Sequence, residues 1–221
     1  MQTGDFVHID YIGRIKGSGE IFDLTKEEIA KKDGTFNSNV KYKPIPVIIG
    51  ANLFLKGIDE TLKEMKIGEK KSIEISPKDS FGERKTELVK LIPLSFFKEK
   101  SKDVNPGVYV KVNEIPGKVV SVDGGRVKID FNHPLAGKNL EYEIEVKEEI
   151  KTPEEKIKAI FNFYTGTEKE DVEVEIKEKK VEVLLKKKIE LPVAIKERIS
   201  SILLKWVKDL ETIKFVDMYA K

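Results

Sequence analysis

Val7, Ile9 and Tyr11 alternate with polar neighbours, and the Gly17-Ser18-Gly19 turn parts them from Ile21-Phe22, which predicts a strand pair. The next stretch, Thr25 to Asp33, opens Thr-Lys-Glu-Glu and stops before Gly34, so it predicts a short, solvated helix capped by Thr25. Ile58, Leu62 and Met65 fall at i, i+4 and i+7 and make one apolar stripe on a helix from Gly57 to Met65, stopped near Gly68. Such a stripe needs a sheet to cover it, and the strands predicted at Pro44 to Ile49 and Lys71 to Ser76 supply one.

The pattern changes from Thr86 to Asp130. Val108-Tyr109-Val110 follows Asn105-Pro106-Gly107, and Asp123-Gly124-Gly125 joins two valine-rich runs, a hairpin signal. Leu140 to Val146 then alternates cleanly as a strand. Thr152-Pro153-Glu154-Glu155 combines a cap, proline at the first helical position and acid in the first turn, so a helix starts there, carries Ile157, Ile160, Phe161 and Tyr164, and ends at Gly166. Val172-Val174-Ile176 and Val181-Val183-Leu185 alternate on either side of a charged turn. Ile195, Ile199, Ile202, Leu203, Trp206, Val207 and Leu210 trace a second helix, with Trp206 on its core face, and a last strand runs from Ile213 to Tyr219. The C-terminal order is therefore α-β-β-α-β, in a module that resembles no widespread family.

That strand is apolar on both parities, Ile213 and Phe215 against Val216 and Met218, and Leu184 stands out of phase among glutamates and lysines. A module of about 70 residues is also short of core on its own. Dimerisation through residues 152–221 is the expectation.

At 221 residues the chain predicts two or three domains. Its 41 basic and 39 acidic residues nearly cancel and are interspersed, which argues against nucleic acid as the main partner. Charged residues reach 36%, mostly Lys and Glu, with Gln2 the one glutamine, a composition suited to a thermophilic protein. Cysteine is absent, which excludes disulfides and thiolate chemistry and agrees with a cytosolic setting. The first residues carry no basic stretch followed by an apolar run, and nowhere do about 18 apolar residues run together, so neither secretion nor membrane insertion is expected and the localisation read is cytoplasmic. With two histidines and no thiol, no metal or other cofactor is expected.

Several short motifs recur in a fixed order. Tyr11-Ile12-Gly13 precedes Phe22-Asp23; then come the glycine-flanked run from Ile49 to Ile58, Met65-Lys66-Ile67-Gly68-Glu69-Lys70, Ser80-Phe81-Gly82-Glu83 and Asn132-His133-Pro134-Leu135-Ala136-Gly137. Taken singly, Tyr11, Phe22 and Tyr142 read as core aromatics and Asp23 as a turn-capping residue. As an ordered set the motifs resemble the FKBP family of peptidyl-prolyl isomerases, in its SlyD-like and long archaeal-type branch. The resemblance implies an α+β fold: an antiparallel half-barrel around a short helix from residues 1–85 and 130–151, an inserted β-rich insert-in-flap domain at 86–129, and the extra C-terminal domain at 152–221.

It also implies an apolar site. Tyr11, Phe22 and Asp23 would line one wall, Phe54 and Leu55 the loop before the helix, and Ile58 the floor; Ile45, Phe81 and Tyr142 would close the other side, with His133 and Leu135 bordering the cleft. The backbone N–H of Leu55 would hold the substrate carbonyl, and Asp23 would orient the site without transferring a proton. Two positions depart from the family's pattern: Phe81 stands where a tyrosine hydroxyl is common, and Ile58 where many members carry tryptophan. Retained but modest activity and poor binding of macrolide immunosuppressants are expected.

The implied function is X-Pro isomerisation on unfolded or proline-containing polypeptide clients, with Phe96, Phe97, Val108 and Tyr109 of the insert either gripping clients or forming its small core. The alternative is a holdase-type chaperone with weak or no isomerase activity. A third reading makes the C-terminal module a docking platform.

Overall fold

The computed structural model describes residues 1–97, 104–186 and 191–217. In chain order the strands are β1 (Phe6–Ile15), β2 (Ile21–Leu24), β3 (Ile45–Ile48), β4 (Lys70–Ile75), β5 (Val89–Pro93), β6 (Tyr109–Val112), β7 (Ile115–Asp123), β8 (Arg126–Asp130), β9 (Leu140–Ile150), β10 (Val172–Lys177), β11 (Lys180–Leu185) and β12 (Thr212–Asp217). The helices are α1 (Glu27–Asp33), α2 (Lys56–Glu64), α3 (Pro153–Thr165) and α4 (Val193–Trp206). The chain forms two compact units: Met1–Glu74 with Glu141–Lys221, and Ile75–Leu140. This is the α+β class expected above.

In the first unit a five-stranded sheet runs β2-β1-β9-β4, with β3 also paired to β1. Strand β1 is long enough to serve two antiparallel partners in succession, β3 opposite Phe6 to Ile9 and β2 opposite Ile12 to Arg14. The segment between β2 and β3, including α1, therefore leaves the sheet. Helix α2 buries Ile58 and Leu62, and Met65 is buried just beyond it, as the stripe requires.

The alternation in β1 revealed only one of its buried faces. Nine of its ten residues are buried, the exception being the half-buried Arg14. Phe6 belongs to the core of the C-terminal module; His8 pairs through Nδ1 with Glu148 at 2.9 Å; Asp10 accepts from the Thr25 hydroxyl at 2.6 Å. Burial, more than Glu148 can offset, holds the His8 pKa below its usual value. The expected Thr25 cap is corrected by the same contact. Helix α1 starts one residue later, from Lys26 without a side-chain cap, because the Thr25 hydroxyl is taken by Asp10 and by the Tyr11 N–H, and a buried carboxylate left without a donor costs more than an uncapped surface helix.

The C-terminal module starts as its sequence requires. Thr152 and Glu155 form a reciprocal capping box on α3, and Gly166 closes that helix in the left-handed conformation at φ 69°. Strands β10 and β11 pair antiparallel, and α4 carries the chain across to β12, parallel to β11. Val181, Val183 and Leu185 join Ile160, Phe161, Ile199 and Leu203 in a core that also takes in Phe6, Ile48 and Ile150 of the half-barrel, with Trp206 packed against it. The module's shortage of core is thus met in part by the parent sheet. On the other face Leu184 and Val216 are direct neighbours across β11 and β12; Met218 and Tyr219 lie outside the described residues.

The second unit is a four-stranded antiparallel sheet ordered β5-β8-β7-β6. Val104, Val119, Val127 and Ile129 are its buried core, covered by Leu94, Phe97 and Phe131. Among the described residues no helix is long and apolar enough to cross a membrane.

Candidate active site

Tyr11 and Gly13 sit two residues apart on β1, so their side chains would share one face of the sheet. A Cβ built on Gly13 would lie 2.7 Å from the Phe22 ring and 3.1 Å from that of Tyr142. The glycine of the Tyr-x-Gly motif therefore exists to let two rings lie against the strand. Phe22 arrives on β2, whose next residue, Asp23, is the register partner of Gly13, and Tyr142 arrives on β9.

Tyr142 is the hub, 2% exposed, with ring centroids 5.9 Å from Tyr11, 5.7 Å from Phe22 and 6.2 Å from Phe54; Tyr11 and Phe54 are 5.2 Å apart. These tilted and edge-on pairs are the geometry that aromatic quadrupoles favour. The Tyr11 hydroxyl donates to Asp23 Oδ2 at 2.7 Å, while Asp23 itself is exposed. Burial first, then the Asp23 charge, pushes both tyrosine pKa values far above normal, so neither phenol ionises at physiological pH. The Tyr142 hydroxyl donates to no described residue.

Phe54 ends a loop that opens with two left-handed residues, Gly50 at φ 81° and Asn52 at φ 51°. Leu55 follows, half-buried and extended, as the N-cap of α2; its carbonyl accepts from Ile58 and Asp59, and its N–H finds no acceptor among the described residues. Ile58 is fully buried. Ile45 is half-buried opposite Ile9, on a strand where Pro46 contributes no N–H.

The other named residues lie in the second unit. Phe81 stacks on His133 with centroids 4.3 Å apart and planes 2° from parallel. His133 Nδ1 accepts from the Leu135 N–H at 3.2 Å, which places the neutral ring's proton on Nε2. Leu135 is buried. The two distant motifs meet because Gly137 donates to the Gly82 carbonyl at 2.9 Å and the Asn132 amide brackets the Lys85 backbone, accepting from its N–H and donating to its carbonyl. Of the insert residues, Phe97 packs on the core, whereas Phe96, Val108 and Tyr109 are exposed, Tyr109 by 56%. Leu91 and Ile115, outside the expected client-gripping residues, are exposed by 59% and 58%. Tyr109 and Leu91 lie directly opposite Lys118 and Lys128, and so mark the sheet's outer face.

Sequence reasoning also missed Asp59. It is buried on the first turn of α2 and accepts from the Asn52 N–H at 2.6 Å. An acid at a helix start reads as an ordinary dipole partner, and nothing in the residue spacing shows it turned back onto a loop. No cluster of potential metal ligands occurs among the described residues.

The family described as FKBP26, IF domain matches residues 90–135, and that described as FKBP26 C-terminal matches residues 153–220, which gives a relationship to the module that resembled no widespread family. A short-type peptidyl-prolyl cis-trans isomerase of Methanocaldococcus jannaschii is 32% identical over 67% of this chain and 93% of its own length. A probable FKBP-type 16 kDa peptidyl-prolyl cis-trans isomerase of Pseudomonas fluorescens is 35% identical over 57% of this chain and 83% of its own. The FKBP-type isomerase SlyD of Helicobacter pylori is 27% identical over 68% and 76%.

Proposed function

The chain belongs to the FKBP-type peptidyl-prolyl cis-trans isomerases, and from that membership we propose that it isomerises X-Pro bonds of polypeptide clients in the ring cluster around Tyr142, while the inserted domain holds unfolded clients. The observation that carries the reading is the convergence of Tyr11, Phe22, Phe54 and Tyr142 beside the free Leu55 N–H.

The chemistry needs no ionised catalyst. Rotation about the peptide bond meets a barrier of roughly 18–20 kcal/mol because it breaks amide resonance. The twisted imide has lost conjugation, so its carbonyl carries less charge and loses less on leaving water than the planar ground state does. An apolar enclosure therefore favours the transition state. An acceleration of a thousandfold to ten-thousandfold requires about 4–5.5 kcal/mol. One hydrogen bond from Leu55 N–H supplies about 1; the rings must supply the rest. Asp23 keeps the Tyr11 ring oriented and takes no proton from the substrate. Phe96, Val108 and Tyr109, with Leu91, are the exposed apolar side chains that the inserted domain offers to clients.

A proline-peptide isomerisation assay tests this. The wild type is expected to turn over, Asp23→Ala about tenfold less well, and deletion of residues 86–129 is expected to spare peptide turnover while abolishing assistance to a refolding protein. An inactive wild type ends the isomerase reading; a deletion variant that still assists refolding ends the client-holding one.

The Leu184–Val216 pair on the outer face of the C-terminal sheet supports self-association through residues 152–221. Light scattering at micromolar concentration is expected to return a dimer mass, and Leu184→Glu a monomer mass. A monomeric wild type refutes it.

A further inference from the structure

We propose that Asp59 is a positioning residue for the isomerase: it ties the Gly50–Leu55 loop to helix α2 and so sets the place of the Phe54 ring and the Leu55 N–H. The proposal rests on the isomerase reading and adds to it a residue that touches no substrate.

The tie is a short bond. Asp59 Oδ2 accepts from the Asn52 N–H at 2.6 Å, from a side chain only 2% exposed. Asn52 is held at φ 51°, in the left-handed region that asparagine enters more readily than other residues with a Cβ. Asp59 bonds its N–H there. Two residues further on comes Phe54, 5.2 Å from Tyr11, and then Leu55, the N-cap of the helix that carries Asp59. Loop, ring, donor and carboxylate thus form one short circuit, and slack at Asn52 passes directly to both substrate-facing groups. Displacements near 1 Å are enough to lower turnover strongly.

Oδ1 of the same carboxyl is the one buried side-chain polar atom without a hydrogen-bond partner among the described residues. A carboxyl that served the fold alone would gain by burying neither oxygen or by bonding both. What an ionised group offers here is a charge-assisted bond to Asn52, stronger than a neutral acceptor gives. That strength varies with pH. Burial, above all, raises the Asp59 pKa, against the opposing pull of the Asn52 and Gly50 N–H groups and of Lys63. Facing it, the loop Ile49–Leu55 contains no titratable side chain, and the remaining charged residues of α2, Lys56, Glu60 and Glu64, are exposed; the N-terminal segment beside them brings the Met1 amine, which donates to the Lys63 carbonyl, and Asp5, which accepts from the Gln2 N–H. As pH falls through the raised pKa the bond becomes neutral, the loop loosens and turnover drops; above it the tie is at full strength.

The experiment is the pH profile of kcat and KM for a proline peptide, from pH 4 to 8, on wild type, Asp59→Asn and Asp59→Ala, with Asp23→Asn as the control for the carboxylate beside Tyr11. Hydrogen exchange at the Asn52 amide is read on the same samples. Asp59→Asn, which keeps one acceptor oxygen, is expected to stay folded, to lose roughly 3–10-fold in kcat with little change in KM, and to lose the acid limb that wild type and Asp23→Asn both show. Asp59→Ala is expected to lose at least tenfold and to exchange faster at the Asn52 amide. An active wild type matched by Asp59→Asn in kcat and profile overturns this proposal alone. A wild type without turnover overturns the isomerase reading as well.

Discussion

Tyr142→Ala is expected to lower kcat/KM for a proline peptide by at least about a hundredfold, and Tyr142→Phe by no more than about fivefold. The asymmetry follows from what each change removes. Tyr142 touches three other rings, so alanine opens the enclosure on every side at once, and each aromatic pair lost is worth about 0.5–1.5 kcal/mol beyond its buried area. A hundredfold loss corresponds to about 2.7 kcal/mol, within that sum. Phenylalanine keeps all three pairs and deletes a hydroxyl that donates to no described residue, so at most one substrate hydrogen bond of about 1 kcal/mol is at stake. Buried aromatic-to-alanine changes also destabilise by about 3–5 kcal/mol, so unfolding curves must accompany the kinetics and rates must be taken well below the variant's melting point. If phenylalanine proves as damaging as alanine, catalysis depends on the hydroxyl, and the solvent-free enclosure is not its main source.

The parts of this architecture that were legible in the sequence are those where one local rule decides. The Thr152–Glu155 capping box, the Gly166 stop and the α2 stripe each rest on residues within one or two turns, and the structure reproduces them. The ring cluster was legible only as an ordered motif: periodicity marks Tyr11 as buried but cannot say that Tyr142, from β9, meets it. Where two demands competed for one residue, the local reading failed. Thr25 looks like a helix cap until the buried Asp10 on β1 claims its hydroxyl, and β1 looks one-sided until the C-terminal module covers Phe6. Asp59 was invisible for a similar reason, since its partner is a backbone N–H made available by the left-handed Asn52. In the insert, composition left Phe96, Phe97, Val108 and Tyr109 equivalent. For Tyr109 the register decides, turning Val110 and Val112 inward and Tyr109 outward, while packing puts Phe97 on the core and leaves Phe96 and Val108 exposed.

That register also makes Gly117 the most sensitive position in the inserted unit. Gly117 is the buried partner of Val110 on β7, and a Cβ there would stand 2.5 Å from Ile129 Cγ2 and 2.8 Å from the Phe131 ring. Its backbone is not left-handed, so the glycine is needed for close approach alone, and the effect of a side chain is purely steric. Ile129 is fully buried and its β-branched side chain has few other rotamers to adopt. The core around it is built from Val104, Val119, Val127 and Ile129, too few residues to spread the strain. Gly117→Val is therefore expected to destabilise the unit by about 2–4 kcal/mol, at the upper end of overpacking costs. Because a small unit has little stability to lose, the insert should unfold in a separate, earlier transition. Calorimetry and refolding assistance are then expected to fail together while proline-peptide turnover persists, since the ring cluster around Tyr142 belongs to the other unit. A variant that melts in one transition with wild-type refolding assistance would show that the insert tolerates a side chain at 117 and that the tight approach on β7 does not limit its stability.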